Sequence, residues 1–241
     1  MEPNFENGRD IKSLKKQPRR AAILYFLNGL PAPFALLYVP SVLIVRGNAA
    51  ATANNVRNSE TFLRSGMAGE LFSATLVIFA VLAFYTLFNA VSGKYARAML
   101  VLMLISVPIC YVNVLNDLAA ITFARGPEFL SSFAQPQRDA FVLFFLRLHN
   151  QGLALAQIFW DLWLFPFGIA VIRSGFIPRF VGIAVMIAGF GYLISSSVSL
   201  FLPASAQGIG QLAMILGVGE LAFFWLLIWG AEPQPGATVR K

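Results

Sequence analysis

The side chains able to do chemistry crowd into one stretch. Positions 146–161 read Leu-Arg-Leu-His-Asn-Gln-Gly-Leu-Ala-Leu-Ala-Gln-Ile-Phe-Trp-Asp, with an arginine, the single histidine of the chain, two glutamines, an asparagine and an aspartate inside an apolar run. Ionisable groups at membrane depth are costly, and they persist where they pair with one another or line a polar cavity. At ~100° per residue, Arg147, Asn150, Gln151, Gln157 and Asp161 share an arc of roughly 120°, one face of a helix. This face is predicted to point into the molecule. His149 falls away from it, beside Leu153, Ala156 and Trp160.

Other segments offer partners: Glu70 with Gly66, Gly69 and Ser73 around it; Asn113, Asn116 and Asp117; the serines between 195 and 199; Gln211 and Glu220. Counted at about 1.5 Å per residue, Glu70, Asp117 and Arg147 reach a similar depth in the outer half of the membrane, with Asp161 and Glu220 deeper. The expectation is a buried polar cluster of Glu70, Asn113, Asn116, Asp117, Arg147, His149, Asn150, Gln151 and Asp161, in which Arg147 pairs with Asp117 or Glu70. Three roles compete for it. It ties helices together, each hydrogen bond contributing about 0.6 kcal/mol; it binds a ligand or ion; or it is catalytic. His149 by itself reads as a satisfied buried histidine or as a proton-responsive group, since imidazole titrates near pH 6.5.

Absent chemistry narrows the choice. One His and one Cys cannot form a His/Cys zinc or haem pair, and the chain has no H-E-x-x-H, G-x-S-x-G or P-loop run. A metal held by Glu70, Asp117 and Asp161 has no spacing that enforces it, so no metal, cofactor or catalytic residue is assigned. Gly189, Gly191, Gly217 and Gly219 read as helix packing. The lone Cys110 excludes an internal disulfide.

The elements that position these groups are membrane helices. Of 241 residues, 58% are hydrophobic and only 12% charged, with mean hydropathy +0.70; a soluble domain carries about 25% charged residues. Lipid is therefore the main solvent. The net charge of +7 lies in the first twenty residues and between apolar runs. This pattern fits topology signals and contacts with anionic lipid, not nucleic acid.

A basic segment, residues 1–20, precedes six apolar runs: residues 21–45, 62–89, 95–123, 140–172, 180–202 and 209–229. The first imitates a signal peptide but exceeds the roughly 7–15 residues of a signal core, so it reads as an uncleaved helix. Pro31, Pro33 and Pro40 should kink or unwind it. Residues 46–63 form a polar connector with a short surface helix, Ser92-Gly93-Lys94 makes a tight turn, and Pro166 kinks the fourth run. The runs are continuous, not alternating, which excludes a barrel.

Lys and Arg number twelve on the side of the N-terminal segment, Lys94, Arg173 and the end of the chain, against five on the other. Both termini are predicted to be cytoplasmic. The fold class is an all-α, six-helix transmembrane bundle over residues 21–230, with a short tail at 231–241.

Asn113-Val-Leu-Asn116, Leu148-His-Asn-Gln-Gly152 and the run Arg173-Ser-Gly-Phe-Ile-Pro-Arg-Phe-Val-Gly182 leading to Ala188-Gly-Phe-Gly-Tyr-Leu193 resemble the domain of unknown function 4386 family of bacterial membrane proteins. The connector between Ala49 and Glu70 is also similar. The resemblance implies an integral protein of the bacterial inner membrane and assigns no site residue. The sequence reading is therefore a non-enzymatic membrane protein, embedded in lipid, whose polar pocket takes a small or lipid-like ligand or a partner. The alternatives are a proton- or ion-coupled transporter and, third, an intramembrane enzyme using His149 with Asp117.

Overall fold

The computed structural model describes residues 8–202 and 207–230. Readings of residues 1–7, 203–206 and the tail 231–241 lie outside the described residues. Among the described residues the secondary structure is helical, without strand. Five stretches are long and apolar enough to cross a membrane: Gln17–Leu43, Glu60–Arg125, Gln135–Ser174, Arg179–Phe201 and Gly208–Ile228. Large apolar side chains stay exposed along them, such as Leu30, Leu37, Phe201 and Leu212. A surface of this kind needs lipid around it, and the chain is a helical membrane protein.

The first stretch begins in helix α1 (Gly8–Gly29), which starts inside the segment read from sequence as a basic tail. Beyond Pro31 the helix widens into a π-helical turn, Pro33–Tyr38, before resuming as α2 (Val39–Leu43). Proline supplies no N–H and its ring crowds the preceding turn, so three prolines within ten residues loosen the helix here. The connector folds into α3 (Ala49–Asn58), capped by the Asn48 side chain, which accepts from Ala51 N at 2.9 Å.

Helix α4 (Glu60–Arg125) runs for 66 residues but is non-helical at Ser92, with φ −144° and ψ 49°. A straight helix of that length would span about 99 Å, over three times the roughly 30 Å hydrocarbon core. Instead it doubles back. Thr75 Oγ1 meets Tyr111 Oη at 2.6 Å, and Arg125 Nε donates to Glu60 Oε2 at 2.7 Å. Both pairs are centred on positions 92–93, so the arms 60–91 and 93–125 run antiparallel, with the bend at the predicted turn.

Helices α5 (Gln135–Leu162) and α6 (Leu164–Ser174) follow, divided at Trp163. The break falls three residues before Pro166, which occupies the first turn of α6, where a missing N–H costs least. Gly175, at φ 71°, ends α6 in the left-handed conformation that favours glycine. Helix α7 (Arg179–Phe201) precedes α8 (Gln207–Met214), a 3₁₀ segment Ile215–Ala222 and α9 (Phe223–Ile228).

The chain divides into two compact units. One holds residues 1–26, 77–106 and 157–241; the other holds 27–76 and 107–156. The core of the first is aromatic: Phe84, Trp163, Phe167 and Phe223 are buried, and Tyr25 stacks on Phe223 with centroids 4.6 Å apart. Its helices approach closely through glycine. A Cβ at Gly191 would stand 2.4 Å from Ala213 O, and one at Gly219 2.2 Å from Ala184 O. Small residues admit such backbone contact in membranes. The second unit has an aliphatic core that includes Val39, Leu43, Val56, Met67, Val114 and Ile121.

Candidate functional site

The second unit encloses three ionisable side chains from three helical segments. Glu70 comes from the first arm of α4, Asp117 from its second arm and His149 from α5. The imidazole stands between the carboxylates: Nε2 lies 3.1 Å from Glu70 Oε1, and Nδ1 lies 3.2 Å from Asp117 Oδ2. Their side chains are 9% (Glu70), 4% (Asp117) and 6% (His149) exposed. One donor atom from each residue falls within 4.8 Å of the others.

Two of these polar atoms lack a hydrogen bond. Glu70 Oε2 and His149 Nδ1 are buried without a hydrogen-bonding partner among the described residues. Nδ1 is close to Asp117, but the approach is not aligned for a hydrogen bond. Unpaired buried polar atoms are uncommon and call for an explanation, such as a ligand or an ion.

The backbone of α5 is tied beside the trio. Asn113 Nδ2 donates to the His149 carbonyl oxygen at 2.9 Å, and Asn116 Nδ2 donates to Asn113 Oδ1 at 3.0 Å. Asn113, Asn116 and Asp117 are spaced i, i+3 and i+4, one face of a helix. Gly152 makes the crossing possible: a Cβ there would stand 1.9 Å from Asn113 Oδ1.

The loosened part of the first stretch covers the other side. A Cβ at Gly66 would touch Val39, and one at Gly69 would stand 3.2 Å from Pro31 Cβ. Between these segments lies a cleft with apolar walls, including Ala35, Val39, Leu43 and Met67, and with Glu70, Asp117, His149 and Asn150 as its polar lining. An apolar cleft with a few convergent polar groups is the usual form of a small-ligand site.

Two sequence expectations are corrected. Arg147 does not pair with Asp117 or Glu70: it is exposed, and no ion pair of Arg147 is found among the described residues. His149, placed away from the polar face, is the centre of the cluster. The face of α5 that turns inward is the stripe Val142, Leu146, His149 and Ala156, all buried. The polar arc with Arg147, Asn150 and Gln151 turns outward, although Asn150 reaches the cleft. The signal available in sequence was the histidine's place on an apolar stripe at helical spacing.

Asp161 belongs to the other unit. It is 1% exposed and accepts a hydrogen bond from Ser196 Oγ at 2.6 Å. In the same unit Tyr192 donates to Glu220 Oε2 at 2.8 Å, and Tyr25 donates to Glu220 Oε1. The three-carboxylate grouping considered from sequence is thus replaced by two carboxylates and an imidazole: Glu70, Asp117 and His149.

An uncharacterized protein of Archaeoglobus fulgidus is 35% identical over 81 residues, which are 33% of this chain and 47% of that protein. The match thus spans about half of the relative's length. No solved structure matches the chain significantly. The family model described as Domain of unknown function (DUF4386) matches residues 21–230, nearly all of the apolar region, and the chain belongs to that family.

Proposed function

We propose that this chain crosses the bacterial inner membrane six times, with both termini cytoplasmic, and binds a small cationic ligand at Glu70, Asp117 and His149. The bend at Ser92 makes two crossings of α4, which with the other four apolar stretches gives six. The excess of Lys and Arg on the side of the N-terminal segment supports the orientation. It places the connector before Glu60 and the loop after Arg125 outside, so the cleft lies in the outer half.

The observation that carries the binding role is the charge of the trio. Two carboxylates face one imidazole in a buried site, and one carboxylate oxygen is unpartnered. Buried charge is tolerated when it is compensated, and a cation compensates this site. Asn113 and Asn116 position His149, and Asn150 lines the cleft. Arg147 and Gln151, on the exposed side of α5, suit contacts with lipid headgroups. Asp161, with its own partner Ser196, has a separate role. A proton- or ion-coupled transporter would use the same trio, and acid–base chemistry by His149 with Asp117 is the third reading.

The test is ligand-induced stabilisation of the full chain in lipid nanodiscs. Melting is followed with small organic ammonium ions and with divalent metal ions, each at several concentrations. At least one class should raise the melting temperature of the parent and leave Glu70→Gln/Asp117→Asn unmoved. No rise with any cation would end the binding proposal.

A further inference from the structure

We infer that the cation taken by this site is a divalent transition-metal ion, ligated by Glu70, Asp117 and His149. This rests on the cation-binding reading above and names its chemical class. Four observations converge on it.

The first is geometry. One donor atom from each residue lies within 4.8 Å of the other two. Around zinc, with metal–ligand bonds of about 2.0–2.2 Å, tetrahedral donors stand about 3.4 Å apart. The observed grouping is of the same order, so the three side chains stand close enough to share one ion.

The second is the pair of unpartnered atoms. Glu70 Oε2 and His149 Nδ1 are both buried, belong to side chains more than nine-tenths buried, and sit in the cluster itself. A metal ion supplies what a further protein donor does not.

The third is charge. With both carboxylates ionised and the imidazole neutral, which is the state in which each acts as a ligand, the trio carries two negative charges. One divalent ion discharges them, and a monovalent organic cation discharges half. Binding then releases whatever protons the trio held.

The fourth is donor chemistry. A site of carboxylates alone suits magnesium or calcium, whereas an imidazole nitrogen shifts preference toward zinc, manganese, iron and their neighbours. Three protein ligands leave at least one position open, and the trio lines the same cleft as Asn150. The hydrogen bond from Asn113 to the His149 carbonyl holds the ligand-bearing backbone in place, the kind of support that metal ligands receive from the shell around them.

The experiment uses the full chain, purified in nanodiscs through an affinity tag without histidines and stripped with a chelator. It is then equilibrated with Zn²⁺ or Mn²⁺ and freed of excess. The parent is expected to retain about one equivalent by elemental analysis, with affinity at least tenfold above that of Glu70→Gln/Asp117→Asn. Retention equal in parent and double variant marks surface binding and overturns the proposal.

The double variant could fail through misfolding, so a second measurement uses the parent alone. Co²⁺ should produce ligand-field bands of a nitrogen- and oxygen-coordinated site, which one equivalent of Zn²⁺ abolishes. The spectrum of the aqua ion alone overturns the proposal. If an organic ammonium ion stabilises the parent and neither metal binds, the metal inference falls and the cation-binding reading survives. If neither class acts, both fall.

Discussion

Gly152 and Asn113 meet where α5 crosses the second arm of α4, so closely that a methyl group on the glycine would stand 1.9 Å from Asn113 Oδ1. The same asparagine donates to the His149 carbonyl. One contact thus sets the separation of the two helices and the position of the histidine. Replacing Gly152 with Ala should destabilise the protein by about 1–3 kcal/mol, the usual cost of overpacking. Gly152→Ala combined with Asn113→Ala should recover part of that loss, because the second change removes the clashing atom. Melting curves of the two singles and the double measure the coupling; strictly additive losses would show that the residues do not meet.

His149 and Arg147 should separate sharply on substitution. Arg147→Leu is expected within about ±0.5 kcal/mol of the parent, as for surface changes away from special features, because the guanidinium is exposed and has no ion pair among the described residues. His149→Leu leaves two carboxylates buried together. Breaking a buried charge pair on one side costs about 3–5 kcal/mol. Thermal melts in nanodiscs compare them, and equal losses would contradict the inward position of His149.

Ser196→Ala should cost about 1–3 kcal/mol, since Asp161 would lose a hydrogen bond in a buried setting. It should leave Zn²⁺ or Mn²⁺ retention unchanged, because Asp161 is not among the proposed ligands. Stability and metal content measured on the same preparation separate the two effects. Lost metal in a folded Ser196→Ala protein would bring Asp161 back into the site.

The bend at Ser92 predicts that the turn beside it and the start of α4 face opposite sides of the membrane. In a Cys110→Ser background, Arg57→Cys should react with a membrane-impermeant thiol reagent added to intact cells. Lys94→Cys should react only after the membrane is opened. Labelling of both from one side would refute the double crossing of α4 or the orientation drawn from the charge count.

Lipid as solvent, helix as the only spanning element, the position of the α4 bend and the loosening of the first helix at its prolines were legible from single residues and local runs. These depend on interactions a few residues long: apolar continuity, a Ser-Gly-Lys turn, proline without an N–H. The glycines of α7 and of the 3₁₀ segment were likewise legible as packing positions. Glu70, Asn113, Asn116, Asp117 and His149 were all among the residues singled out, and His149 with Asp117 stood only as the third reading, while Glu70 was offered Arg147 as its partner. The rotation of α5 decided that. Polarity around a helix does not distinguish a face turned inward from one turned to headgroups or water. Arg147 and its polar neighbours offered one answer, and the stripe of Val142, Leu146, His149 and Ala156 the other. Only the tertiary structure chose, because the choice rests on Gly152 yielding space to Asn113, two residues 39 positions apart in the chain.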